Sequence, residues 1–183
     1  DLWNPSRELR DMLVAISRAK DELVDAVQYR ELARSMLDAA TDDEGRESAE
    51  AALEVARVYE LYQQALADHH AVDFGDLIMR PTLLLESDAG IRTELSLRHR
   101  HVLVDEYQDV NRASARFVQA LAGDAKTLWA VGDSRQSIYR FRGASSVNMS
   151  TFAADFEGAK VDQLELNYRS SPEIVETLVG IAP

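Results

Sequence analysis

Cysteine is absent from all 183 residues, so neither a disulfide framework nor a thiolate metal centre can be built. This suits a reducing compartment. Histidine is scarce too, four in all and mostly set among charged or polar neighbours, which argues against a histidine-built metal site. No apolar run approaches the roughly 20 residues that span a bilayer, and no basic start leads into an apolar core as in a secretory signal. The expectation is a soluble, cytoplasmic protein with no membrane partner. Positive charge is also in short supply, with 20 Lys and Arg against 32 Asp and Glu and a net charge of −12. That balance speaks against nonspecific nucleic-acid binding, which draws its affinity from cations meeting phosphates. The deficit is uneven. Residues 1–72 hold 8 basic and 16 acidic side chains, net −8, and residues 73–183 hold 12 and 16, net −4. Any contact with a polyanion must therefore come from local features of the second part.

A hydrophobic content of 46% over this length is enough for one good core, or a core with a helical annex, but not for two large independent domains. The chain opens at Asp1 rather than methionine, which suggests a piece of a longer protein. Its first seventy residues have the helical period. Leu9, Met12, Leu13, Ile16, Leu23, Val27, Tyr29 and Leu32 recur at steps of three and four with charges between them. Asn4 followed by Pro5 reads as a helix start. A break falls over Ala39 to Gly45, where Thr41 and Glu44 have capping-box spacing. A second helix then runs through Ala52, Val55, Ala56, Tyr59, Tyr62 and Leu66, giving an expected antiparallel pair that by itself is an ordinary scaffold.

After Val72 the pattern changes. β-type runs at His101 to Val104, Thr127 to Val131 and Val161 to Leu166 alternate with helical stretches at Asp76 to Glu86, Arg112 to Ala122, Ser146 to Phe156 and Pro172 to Val179. This alternation predicts an α/β layer with a mainly parallel sheet. Asn111 is expected to cap the 112–122 helix and Gly123 to close it, with Ser171 and Pro172 opening the last.

Two strand ends carry candidate chemistry. Val102-Leu103-Val104 leads into Asp105 and Glu106, and in open α/β sheets ligands sit beyond the carboxyl ends of strands. Adjacent acids can divide the work, one holding Mg²⁺ and the other orienting water; the bland alternative is a solvated strand end. Leu128-Trp129-Ala130-Val131 leads likewise to Gly132, Asp133 and Gln136. Directly after come Tyr139 and Phe141, interleaved with Arg140 and Arg142. Rings for base stacking and guanidinium groups for phosphates make a single-stranded nucleic-acid platform, unless the rings are core and the arginines plain surface charge.

Order and spacing combine these pieces. Val104-Asp105-Glu106-Tyr107-Gln108-Asp109-Val110-Asn111 resembles the second helicase motif of the UvrD/Rep family of superfamily 1 DNA helicases. Val131-Gly132-Asp133-Ser134-Arg135-Gln136-Ser137-Ile138-Tyr139-Arg140-Phe141-Arg142-Gly143-Ala144 resembles the third, and Leu166-Asn167-Tyr168-Arg169-Ser170-Ser171-Pro172-Glu173-Ile174 the fourth. Val72-Asp73-Phe74-Gly75-Asp76-Leu77-Ile78 looks like the segment by which that family re-enters its first motor domain after a helical insertion. Together these cover nearly all of 72–176, whereas 1–71 is covered only weakly.

The resemblance implies a helical insertion subdomain over 1–71, a partial RecA-like (P-loop NTPase) parallel sheet core over 72–160, and the start of a second motor domain over 161–183. It implies an ATP-dependent DNA helicase that moves 3′ to 5′ on single-stranded DNA and unwinds duplex. ATP and Mg²⁺ would be its cofactors, and the remaining helicase domains its partners. Asp105 would hold the Mg²⁺ and Glu106 would polarise the hydrolytic water. Gln136 would sense the γ-phosphate, and Arg169 would act as an arginine finger. Tyr139, Phe141 and Arg142 would contact DNA.

The sequence also departs from the family. No Gly-x-x-x-x-Gly-Lys-Ser/Thr loop is present, so the backbone nest and lysine that cradle phosphates are missing and the chain alone is expected to be inactive. Gly75 stands where the family usually has an acid. Phe141 replaces a frequent tryptophan and, with Arg135 and Arg140, leans toward the RecB/AddA branch. The rival reading is a non-catalytic nucleic-acid-binding or regulatory module derived from a helicase. Open sheet edges would allow self-association.

Overall fold

The computed structural model describes residues 5–122, 128–136 and 147–181. Helix α1 runs Pro5–Asp21, α2 Ala26–Ala39 and α3 Asp43–Asp68. The first expected helix is therefore two. Its break is a Schellman turn in which Val24 N–H donates to Ala19 O at 2.8 Å and Leu23 N–H to Lys20 O at 3.0 Å, with Leu23 left-handed at φ 60. Glycine usually takes that position, so leucine hides the stop. Asp25 then opens α2 with a true capping box, its side chain accepting from Gln28 N–H while the Gln28 side chain accepts from Asp25 N–H. The box expected at Thr41 and Glu44 is not the one used. Asp42 caps α3 instead, accepting from Gly45 N–H at 2.8 Å. The end of α3 repeats the Schellman pattern, with His70 at φ 51 and Ala71 N–H donating to Leu66 O at 2.8 Å. Asn4 and Gly123, expected to start and stop helices, lie outside the described residues.

Helices α1, α2 and α3 share a small core of Ile16, Ala19 and Tyr59, flanked by Val24, Ala26, Tyr29, Val55, Val58 and Tyr62. Tyr29 meets Tyr59 edge-on at 6.3 Å, and Arg30 pairs with Glu60 at 2.6 Å across α2 and α3. A second layer joins α4 (Asp76–Ser87) to α6 (Arg112–Ala122) through buried Met79, Thr82 and Leu85 on one side and Ala113, Val118 and Ala122 on the other. Between them lies α5 (Ala89–Arg98), a helix the sequence reading did not expect; Asp88 caps it, accepting from both Gly90 and Ile91 N–H groups.

The sheet is smaller than expected. Strands β1 (Val102–Val104) and β2 (Leu128–Ala130) pair in parallel, with Val102 opposite Leu128, Leu103 opposite Trp129 and Val104 opposite Ala130. The third expected strand, Val161 to Leu166, does not form: its residues are exposed and unladdered before α8 (Pro172–Ile181). A β-type run is stable only when its backbone groups find a ladder, and among the described residues no strand pairs with it. The described residues thus form a mostly helical α/β piece with a two-stranded sheet. None of their helices is long and apolar enough to cross a membrane.

The helical layer and the rest of the chain meet at a buried cation. Lys20, 1% exposed, projects from α1 with Nζ 2.7 Å from Asp73 Oδ2, 2.9 Å from Asp76 Oδ1 and 3.0 Å from Gln63 Oε1. The Tyr62 and Tyr59 rings lie 5.3 and 5.8 Å from it. Gly75 gives it passage, because a Cβ there would sit 2.7 Å from Lys20 Cδ and 3.0 Å from Lys20 Cβ. Burial pushes the Asp73 carboxyl up, but hydrogen bonds from Lys20, from Asp76 N–H and from Tyr62 outweigh it and leave the pKa below the usual aspartate value.

Removing the cation takes from the fully buried Asp76 carboxylate its nearest charge partner, so Lys20→Met is expected to cost about 3–5 kcal/mol in urea denaturation; a loss under about 1 kcal/mol would show that the cluster does not hold the layers together. Because the folded pKa of Asp73 is depressed, its contribution is complete above its unfolded value, about 3.8, and fades as pH falls through the lower folded value. Acid titration of stability should therefore be shallower at low pH in Asp73→Asn than in the parent chain.

Candidate functional site

The two strands deliver their following residues to one end of the sheet, and hydrogen bonds stitch those exits together. Val131 N–H donates to Val104 O and Tyr107 N–H to Val131 O, each at 2.9 Å, so the ladder outlasts the strands. Asp105 leaves β1 exposed, its Oδ1 accepting from Glu106 N–H at 2.9 Å. Glu106 takes a left-handed backbone, φ 54 and ψ 43, which costs a non-glycine residue about 1 kcal/mol or more and turns the chain sharply away from the strand. A 3₁₀ turn follows over Tyr107–Asp109. Tyr107 is fully buried, edge-on to Phe152 of α7 (Val147–Asp155) with ring centres 5.1 Å apart.

The turn buries Gln108, whose Nε2 donates to Glu106 Oε2 at 2.6 Å and whose Oε1 accepts from Asp133 N–H at 3.0 Å. Asp133 in turn accepts from Arg135 N–H through Oδ1 and from Gln136 Nε2 through Oδ2, both at 3.0 Å. The Gln136 amide and the Arg135 N–H hold the Asp133 carboxyl below the usual aspartate range. Glu106, Gln108, Asp133 and Gln136 therefore form one hydrogen-bonded run, with Asp105 at its edge. Beyond the turn, Asn111 caps α6 by accepting from Ser114 N–H at 2.8 Å and donates to Asp21 Oδ1 at 2.6 Å, tying the site's exit to the end of α1. Burial pushes the Asp21 carboxyl up, the neighbouring Glu22 adds to this, and the Asn111 bond opposes it.

The structure thus gathers Asp105, Glu106 and Gln136. Arg169 is exposed beyond the unladdered 161–168 stretch, in a turn where Arg169 and Ser170 N–H groups donate to Asn167 Oδ1 at 2.9 Å. Tyr139, Phe141 and Arg142 lie outside the described residues. Gln108 was missed as a site residue because a glutamine between an aromatic and an acid carries no local signal. Lys20, Asp73 and Asp76 were missed because a lysine in a helical charge pattern reads as solvated surface.

Among the described residues no group of three or more His, Cys, Asp or Glu could hold a metal ion. One exposed carboxylate oxygen beside a strand end fits a hard ion that takes its other ligands from phosphate and water. Gly132 is also fixed by the site, since a Cβ there would meet Gln108 Oε1 at 2.7 Å, Gln108 N at 3.1 Å and Met149 Sδ at 3.1 Å.

The UvrD/REP helicase N-terminal domain matches residues 4–157. The ATP-dependent DNA helicase PcrA of Bacillus subtilis is 36% identical over 166 residues, covering 91% of this chain and 21% of that protein. The ATP-dependent DNA helicase Rep of Escherichia coli is 42% identical over 121 residues, 66% of this chain and 18% of that protein. UvrD1 of Mycobacterium leprae is 39% identical over 176 residues, with 91% and 21% covered. The chain spans about a fifth of the length of these curated relatives.

Gly132→Ala is expected to displace the Gln108 amide and to lower unfolding stability by about 1–3 kcal/mol, read by chemical denaturation. An unchanged midpoint together with unchanged Gln108 side-chain amide resonances would contradict this packing.

Proposed function

The chain belongs to the UvrD/REP helicase family through its N-terminal domain, and on that premise we propose that it is part of the first motor domain of an ATP-dependent DNA helicase. The reading rests on the hydrogen-bonded run from Glu106 through Gln108 and Asp133 to Gln136 at one end of a parallel sheet. In it, residues 1–71 are a helical insertion, 72–160 part of a RecA-like core, and 161–183 the start of the second motor domain.

Asp105, whose Oδ1 accepts from Glu106 N–H, would hold the Mg²⁺ that accompanies ATP. When bound, the ion would supply positive charge that neutralises the phosphates. Glu106 orients and polarises the attacking water, a role that suits an exposed carboxylate held in one rotamer by a buried donor. Gln136, exposed and tethered to Asp133, contacts the γ-phosphate side of the nucleotide. Arg169 completes the site only when the second motor domain closes, adding a permanent positive charge where negative charge develops. Tyr139, Phe141 and Arg142, starting three residues beyond Gln136, carry the DNA contact, and hydrolysis drives movement 3′ to 5′ along single-stranded DNA with duplex unwinding. Polyanion binding then depends on this local segment, against the net charge of −12, and should be steeply salt-sensitive. Copies of the chain expressed alone would self-associate through the open edges of the two-stranded sheet.

Phosphate-release assays provide the test. The chain by itself, without a phosphate-cradling loop, is expected to show no ATP turnover with or without single-stranded DNA. In the full helicase polypeptide, DNA-stimulated turnover is expected, and Glu106→Gln should lower it by about 100-fold or more while ATP binding persists. Full activity in that variant would remove Glu106 from the mechanism.

A further inference from the structure

Gln108 is nearly sealed from solvent, 1% exposed, yet its two amide atoms serve two different elements. Nε2 reaches the Glu106 carboxylate at 2.6 Å, and Oε1 takes the Asp133 N–H at 3.0 Å. The partners fix which atom is which: a carboxylate needs a donor, and a backbone N–H needs an acceptor. Few side chains could do both here. A carboxylate in the same place would accept from Asp133 but repel Glu106, and an apolar residue of the same size would satisfy neither. The surroundings are cut to fit this amide, for a Cβ on residue 132 would come within 2.7 Å of Oε1, which only glycine avoids. Glu106 also needs an external hold. Its backbone is left-handed and its residue exposed, so nothing in its own conformation selects the rotamer that faces a nucleotide.

We infer that Gln108 is a positioning residue for ATP hydrolysis, clamping the Glu106 carboxylate to the turn that carries Gln136, so that the water-orienting group and the nucleotide-sensing group move as one. The inference rests on the helicase reading above and deepens it. A displacement of the 132–136 turn would pull on Oε1 and, through the rigid amide plane, on the hydrogen bond to Glu106. The backbone ladder joins the two sides of the site as main chain, and Gln108 adds a side-chain link that ends on the Glu106 carboxylate itself.

The test uses the full helicase polypeptide carrying this chain, with single-stranded DNA saturating, and follows kcat and KM for ATP across pH in the parent, Gln108→Leu and Gln108→Glu. For Gln108→Leu, kcat is expected to fall by roughly 10-fold or more with KM changed less than about threefold, because orientation and not nucleotide affinity is lost. Gln108→Glu keeps the acceptor for Asp133 N–H and so guards against simple misfolding. It places a second carboxylate against Glu106, and the pair should share a proton. The acidic limb of its kcat profile should therefore move to higher pH by about one unit or more, a shift that a purely structural glutamine would not produce. An active parent whose variants only melt earlier, with kcat and the pH profile unmoved, would overturn the inference alone. A parent with no DNA-stimulated turnover would overturn the helicase reading and this inference together.

Discussion

The buried ammonium of Lys20 is the constraint on which the other arrangements depend. A lysine without water is costly unless every proton finds a partner, and here Asp73, Asp76 and Gln63 supply three acceptors within 3.0 Å while two tyrosine rings line the sides. Those acceptors come from α3 (Gln63), from the loop after it (Asp73) and from the start of α4 (Asp76), so the cation is satisfied only when α1, α3 and α4 are all in place. The second oxygen of Asp76 is met by Arg80 at 3.4 Å, which offsets the surplus negative charge. Gly75 makes the approach possible. Any side chain at that position would crowd the lysine stem, so the glycine and the inserted cation are two halves of one local solution.

Position then passes from this cluster to the site over a short path. Asp21 is the next residue after Lys20 and receives the Asn111 amide at 2.6 Å; Asn111 also starts α6 and ends the turn that began at Glu106. The helical layer thus fixes the exit of the turn while the stitched strand ends fix its entry. Between the two, the left-handed Glu106 absorbs the change in direction. Labour inside the site divides by exposure. The groups proposed to meet nucleotide, Asp105, Glu106 and Gln136, are exposed, whereas Gln108 and Tyr107, which hold them, are buried. Reactive groups must reach a ligand; those that orient them work best away from competing water.

Periodicity made the helices legible, and the acids and glutamine at strand ends were legible because chain direction and strand exit follow from an apolar run ending in polar residues. What stayed hidden has physical reasons. Leu23 occupies a left-handed position that glycine usually marks, so one apolar stripe ran on across two helices. Asp42 and Thr41 are both good caps, and the choice between them depends on which oxygen reaches Gly45 N–H. Ala89–Arg98 has little apolar contrast between its faces, so its periodicity is faint although Asp88 marks its start. Lys20 was unreadable as a core residue because its partners lie 43 to 56 positions away in sequence. The Asp133 end of the Gln108 clamp is equally nonlocal, 25 positions away.

Among the described residues, the unpaired 161–166 run and the exposed face of the two-stranded sheet both leave β-type side chains in solvent. Val161, Leu164 and Leu166 have the composition of a strand but stand exposed, and Leu103 and Trp129, opposite each other in register, are 74% and 65% exposed on the uncovered side of β1 and β2. Parallel strands are ordinarily covered on both faces, and β-propensity mostly expresses how well a residue fits a paired and packed surface. With three residues in each of two strands, the sheet by itself contributes little to holding the site. The groups around Glu106 are instead held by turn hydrogen bonds, the Tyr107–Phe152 contact and the Asn111 link to α1. Local geometry of the acid and its clamp can therefore exist although the sheet among the described residues is minimal.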